Sequence, residues 1–294
     1  MVLICLLFDS GHNLTTLPRS RAQLVASAAI CAALYAIVNA LTSFVSTPFG
    51  VGEFRPGVIV PAFFALVAGP IPAAFGAGVG SFIGDMFTLV PEGKSTFLWA
   101  VGAGGIGNFI GFLVLGWVYE KLRAWKGFVL GTTAGLFIGN VIASAGVVLL
   151  GMFFLPTTAS NPFPGMQIGL ASGFFIGLLL FWFGTMFPFV IVFVPPILKY
   201  LKPYANQLSG PGNYPDIASP SRKIVMSWSI VVALLVLGAM VVALFSGFAG
   251  IEDIVGASGG SLAWAGLFIV SAIVVIIVGA FVPKKAMKPV TQQA

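Results

Sequence analysis

Asp85 is the one acidic residue buried inside a long apolar run of this chain. An ionisable group at membrane depth is costly, so it is paired or functional by default. Other groups able to recognise a solute flank the apolar runs. Glu53, Phe54 and Arg55 precede the run that ends in Asp85, and Lys94, Ser95 and Trp99 follow it. Asn140 and Ser144 lie in a later run, and Asn161 and Gln167 stand before another. Ion pairing, hydrogen bonding and stacking are the chemistry of holding a small polar solute. Pairing of Asp85 with Arg55 or Lys94, and cross-helix bonding by Asn108 and Asn140, are the structural alternatives. Asp85→Asn is expected to weaken ligand binding and leave the fold intact.

Bond-making chemistry finds no support. There is no HExxH, no GxSxG, no paired intramembrane carboxylates and no Arg-rich helix. Gly93-Lys94-Ser95-Thr96 ends like a phosphate-binding loop, but Thr88 stands where that loop needs its first glycine. Cys5, Cys31 and His12 have no metal-ligand spacing. The expectation is no enzyme activity, no metal and no cofactor.

The elements that must position these residues are membrane helices. The 294 residues are 59% hydrophobic and 7% charged, with a mean hydropathy of +1.07. Such a composition excludes an ordinary soluble domain. The net charge of +6 therefore bears on orientation, not on nucleic acid. A span needs ~20 apolar residues. Runs of that kind lie near 22–44, 97–118, 127–152, 168–198, 224–249 and 261–282. The stretch 56–89 is split by Gly69-Pro70-Ile71-Pro72, which reads as a tight turn between a short helix, 56–69, and a second, 71–89. Eight membrane helices with both termini cytoplasmic place twelve of the 14 basic residues inside and only Arg55 and Lys94 outside. That asymmetry supports count and orientation together. With this orientation the polar groups named above share the outer end.

The expected organisation is an all-α integral membrane protein. A cytoplasmic leader covers 1–21 and a six-helix substrate-binding bundle 22–202. A polar Pro/Gly/Ser-rich linker follows at 203–223, then a C-terminal two-helix hairpin at 224–282 and a tail at 283–294. Gly-x-Phe-Ile-Gly occurs four times, at 80–84, 107–111, 135–139 and 173–177. Glycines four apart make a flat stripe for close helix packing. Gly76, Gly80, Gly84, Gly107, Gly111, Gly135, Gly139, Gly173 and Gly177 are the expected packing positions. Helix 1 carries alanine instead, with Ala28, Ala32, Ala36 and Ala40 on one stripe and Ala29 and Ala33 beside it.

The segment 53–85 holds Phe54, Pro61, Gly69-Pro70, Gly76, Gly80, Gly84 and Asp85 in order. This ordered set resembles the substrate-binding S components of energy-coupling factor (ECF) transporters, over about 22–202. The resemblance implies a six-helix fold and capture of a water-soluble vitamin or related micronutrient in an outward pocket closed by the first loop. It further implies docking on a transmembrane T component through an Ala-x-x-x-Ala motif, matched here by Ala29 and Ala33. Tilting in the bilayer then follows, with release driven by a pair of cytoplasmic ATPases. The C-terminal hairpin departs from the six-helix pattern. A stand-alone secondary transporter or channel for a small organic solute is the alternative, and the short helix 56–69 is the feature that suits it.

Overall fold

The computed structural model describes residues 20–43, 47, 51–88, 90, 95–157, 161–209, 215 and 217. The leader, the C-terminal hairpin, the tail and most of the linker lie outside the described residues. Among the described residues there is no strand, and six helical elements follow one another. We number them α1 (Arg21–Thr42), α2 (Pro56–Val67, opening with a 3-10 turn), α3 (Pro70–Phe87), α4 (Phe97–Leu122), α5 (Ala124–Phe153) and α6 (Ile168–Ser209).

Local sequence explains the boundaries. Ser20 caps α1: its Oγ accepts from the Gln23 amide at 3.2 Å, and Gln23 Oε1 accepts from the Ser20 amide at 3.0 Å. This reciprocal pair satisfies two amides that an isolated helix start leaves open. Gly69 stops α2 with φ of 93°, a region that favours glycine, and Pro70 opens α3 at a position where the missing N–H costs nothing. α6 runs to Ser209, so the first residues of the expected linker are helical.

Among the described residues, four helices are long and apolar enough to cross a membrane: Arg21–Thr42, Phe97–Leu122, Ala124–Phe153 and Ile168–Lys202. Their outward faces are apolar as well, as at Val25, Ile37, Leu41, Phe137 and Phe193. A helix in water keeps its outer face polar, so these faces suggest a membrane protein. α2 is different. Its twelve residues span roughly 18 Å, short of a bilayer core of about 30 Å. Pro61 through Val67 are all buried, and α1, α3, α4 and α6 pack around them.

Glycine sets the spacing of the bundle. α3 lies on α1 through Gly76, Gly80 and Gly84; a methyl group at Gly80 would come 2.7 Å from the Ala32 carbonyl oxygen. The pentapeptides 107–111 on α4 and 135–139 on α5 face each other. A methyl at Gly107 would meet the Gly139 carbonyl at 2.8 Å, and one at Gly111 would meet that of Gly135 at the same distance. Two copies of the repeated sequence thus form the two halves of one contact. In the fourth copy Gly177 is buried and Gly173 half-buried. Ala32 and Ala36 of α1 face inward, whereas Ala29 and Ala33 are exposed.

Candidate functional site

Close packing brings three glycines of α4 to the end of the bundle where Asp85 lies. Residues 100–105, AVGAGG, wind as a π-helical stretch between the α-helical start at Phe97 and the regular helix from Ile106. Such widened turns recur at functional sites. Here the turn holds Gly104 against the polar cluster. A methyl on Gly104 would lie 2.8 Å from Asp85 Oδ2 and 3.2 Å from Ser81 Oγ.

The cluster has Arg55 at its centre. The segment 51–55 dips into the bundle before α2 begins, and Arg55 is buried. Its Nη2 donates to Asp85 Oδ1 at 2.6 Å and its Nη1 to Ser81 Oγ at 2.7 Å. Ser81 and Asp85 are four residues apart on α3 and so share a face. Glu53, fully buried, holds Oε1 3.9 Å from Arg55 Nε. Burial works against the Arg55 charge, but the neighbouring carboxylates of Asp85 and then Glu53 outweigh it and hold the guanidinium pKa above its ordinary value. Arg55 is therefore a cation held between two carboxylates.

A second layer of bonds fixes the floor. Asn108 Nδ2 donates to Ser81 Oγ at 3.2 Å and to the Gly104 carbonyl at 2.8 Å, and its Oδ1 accepts from the Tyr35 hydroxyl at 3.1 Å. Two indoles clasp the walls to the rest of the bundle. Trp99 Nε1 donates to the Val147 carbonyl at 3.0 Å, and Trp182 Nε1 to that of Glu53 at 3.1 Å.

Above this floor is a cavity of about 30 Å³ that opens at a mouth. Segment 51–55 and helices α3 to α6 enclose it, with Arg55, Asp85, Trp99, Asn140 and Trp182 in its wall. The sequence-derived candidates divide on this geometry. Arg55, Asp85, Trp99 and Asn140 come together at the cavity. Glu53 supports it from behind. Phe54 turns to α6, where its ring meets that of Phe189 edge-on at 5.3 Å. Ser144 is fully buried, one turn beyond Asn140, and does not line the cavity. Asn161 is buried in the loop before α6, where its Nδ2 donates to the carbonyls of Pro156 at 2.8 Å and Gly151 at 3.2 Å. It shapes that loop and does not line the cavity. Gln167 is exposed. Lys94 lies outside the described residues.

Sequence reasoning missed Ser81, Gly104 and Trp182 as site residues. Ser81 had a visible signal: it lies one helical turn before Asp85. Gly104 and Trp182 carried none, because an extra glycine or tryptophan in an apolar run looks like any other. Among the described residues no group of three or more His, Cys, Asp or Glu side chains is placed to hold a metal ion. Comparison with known protein families, with curated proteins and with solved structures finds no match.

Proposed function

We propose that this chain is the membrane-embedded substrate-binding component of an ECF-type importer. It captures a water-soluble vitamin or related micronutrient outside and delivers it inward together with a transmembrane T component and a pair of ATPases. The observation that carries the reading is the cavity. A small cavity with a polar, hydrogen-bonded floor sits at one end of an apolar helical bundle, closed on one side by the dipping segment 51–55. Concave sites of this kind, mostly apolar with a few convergent polar groups, are where small molecules bind. The outward-facing Ala29 and Ala33 support the partner assignment, since small side chains leave a smooth strip on α1 for another helix.

The finer topology belongs to the same proposal. The chain is a multi-pass protein of the cell membrane with eight spans, both termini cytoplasmic and the cavity mouth outside. The charge distribution supports this orientation.

The test is co-purification and uptake. Tagged chain expressed with candidate T and ATPase subunits is expected to recover all of them in one complex, and uptake of a retained ligand, identified by native mass spectrometry, is expected to need ATP hydrolysis. Ala33→Leu is expected to abolish recovery of the complex and to leave ligand retention unchanged. One feature favours the stand-alone carrier instead: α4 departs from regular helix beside the cavity, as the broken helices of such carriers do. Uptake by vesicles holding this chain alone, without any ATPase, would establish that reading and remove the first.

A further inference from the structure

We infer that the end of the bundle holding the α4–α5 turn is a headgroup site for an anionic phospholipid, with Lys121, Arg123, Lys126 and Lys199 supplying the cations that take its phosphate. The inference needs the chain to sit in a bilayer and nothing more of the importer reading.

Topology is the first argument. α1 and α3 run parallel, since Gly76 packs on Cys31 and Gly84 on Asn39. A methyl at Gly116, late in α4, would meet Pro70 at the start of α3 at 2.6 Å. α6 runs against α5. Phe174 reaches Phe163 beside Trp99, which is bonded to Val147, whereas Phe183, further along α6, meets Phe137 nearer the start of α5. The starts of α1, α3 and α5 and the ends of α4 and α6 therefore share one end of the bundle. Six of the seven described Lys and Arg residues lie there, all exposed: Arg21, Lys121, Arg123, Lys126, Lys199 and Lys202. Glu120 is the one acid described at that end. The seventh cation, Arg55, is buried at the other end.

Apolar surroundings are the second argument, and they select the bilayer over an acidic protein. Trp117, Leu122, Leu130 and Tyr200 are exposed alongside these cations. The Lys121 ammonium lies 5.2 Å from the centroid of the Trp117 ring, and the Arg123 guanidinium 5.9 Å from that of Tyr119. Each of these charges stands one helical turn beyond an aromatic residue. Aromatic rings collect at the depth where acyl chains give way to headgroups, and cations just beyond that depth meet phosphate. A contact made for a soluble acidic partner has no use for apolar surface directly beneath the charges.

Backbone strain is the third. Arg123 alone joins α4 to α5, and its φ of 51° with ψ of −175° is a conformation that belongs almost wholly to glycine. Ala124 follows with φ of 49°. Strain of this kind persists where the surrounding structure holds a group in place for use. Glycine would make the same turn freely. Arginine brings a cation to the tip of the turn, with Lys121 and Lys126 on either side of it in the chain.

The test is native mass spectrometry of the full chain in a neutral detergent, titrated with dioleoylphosphatidylglycerol or dioleoylphosphatidylcholine. The anionic lipid is expected to bind at least roughly tenfold more tightly. Arg123→Gly, Lys126→Gln and Lys199→Gln are each expected to weaken it about fivefold, the worth of one cation near a charged lipid surface, and to leave the choline lipid unchanged. Arg123→Gly suits the backbone, so its melting temperature without lipid is expected to hold or rise. Should it fall, the two lysine variants, on exposed helix surface, decide. Equal affinity for the two lipids overturns the inference, as does a preference that the lysine variants leave unchanged. So does displacement of the lipid by an equal concentration of inorganic phosphate, which would mark a site for a soluble anion. Lysine variants that keep full lipid affinity but lose recovery of the complex with T and ATPase subunits would assign the surface to an acidic protein partner instead. Failure of the importer reading leaves these affinities as they are, since the titration holds no partner subunit.

Discussion

Arg55 and Asp85 cannot be replaced one at a time without penalty. The sequence alone led us to expect Asp85→Asn to spare the fold. The 2.6 Å bond to a buried guanidinium changes that expectation. Asn at 85 leaves Arg55 charged, buried and without its main counter-ion. The expected loss is about 3–5 kcal/mol of stability, together with loss of ligand binding, measured by denaturant titration in detergent and by ligand retention. The double replacement Arg55→Met with Asp85→Leu removes the ion pair but leaves buried Glu53 without the cation beside it, and is expected to recover part of that stability while binding stays lost. A double-mutant cycle gives the coupling directly. At this scale the sequence revealed that Asp85 needed a partner, and which two cations were candidates. It did not reveal that Ser81 would share the guanidinium, because that depends on the depth to which segment 51–55 descends. Nor did it reveal Gly104, whose role is to be small next to a carboxylate.

Helices show how spacing in sequence becomes spacing in the bundle. Gly80→Val is expected to push α1 from α3, since its first carbon already meets the Ala32 carbonyl oxygen at 2.7 Å. Overpacking of this kind costs roughly 1–3 kcal/mol and is read as a lowered melting temperature. Gly169 offers the contrast within the same kind of stripe. Nothing lies within 4 Å of a methyl placed there. Gly169→Ala is expected to leave stability unchanged or raise it by up to about 1 kcal/mol, because alanine favours helix over glycine. The glycine stripes were legible as stripes, since i, i+4 periodicity is a property of one helix. Which stripe meets which was not, since that is a relation between two. The mutual contact of 107–111 with 135–139, the inward turn of Ala32 and Ala36, and the π-helical stretch of α4 all belong to that second kind. The short α2 was legible because Gly69-Pro70 punctuates the chain, and its enclosure by four neighbours follows from a length too small to span the bilayer.

For the whole molecule, orientation is the quantity that joins cavity to function. Lys126, beside the α4–α5 turn, and Thr157, in the segment after α5, are both exposed and lie at opposite ends of α5. With a membrane-impermeant maleimide, Thr157→Cys is expected to label in intact cells and Lys126→Cys only after the cells are opened. The reverse pattern would place the cavity mouth on the cytoplasmic side and end the capture reading. The composition and loop charges carried the membrane assignment because lipid constrains whole segments, not single residues. The buried ion pair has one more consequence at this scale. A lone charge moving through the membrane field does work of about 2.3 kcal/mol per 100 mV. Arg55 and Asp85, locked together, form a neutral dipole. Translation of the two of them as a unit therefore moves no net charge through the field, and the carboxylate of Glu53 beside them is the charge left to feel it.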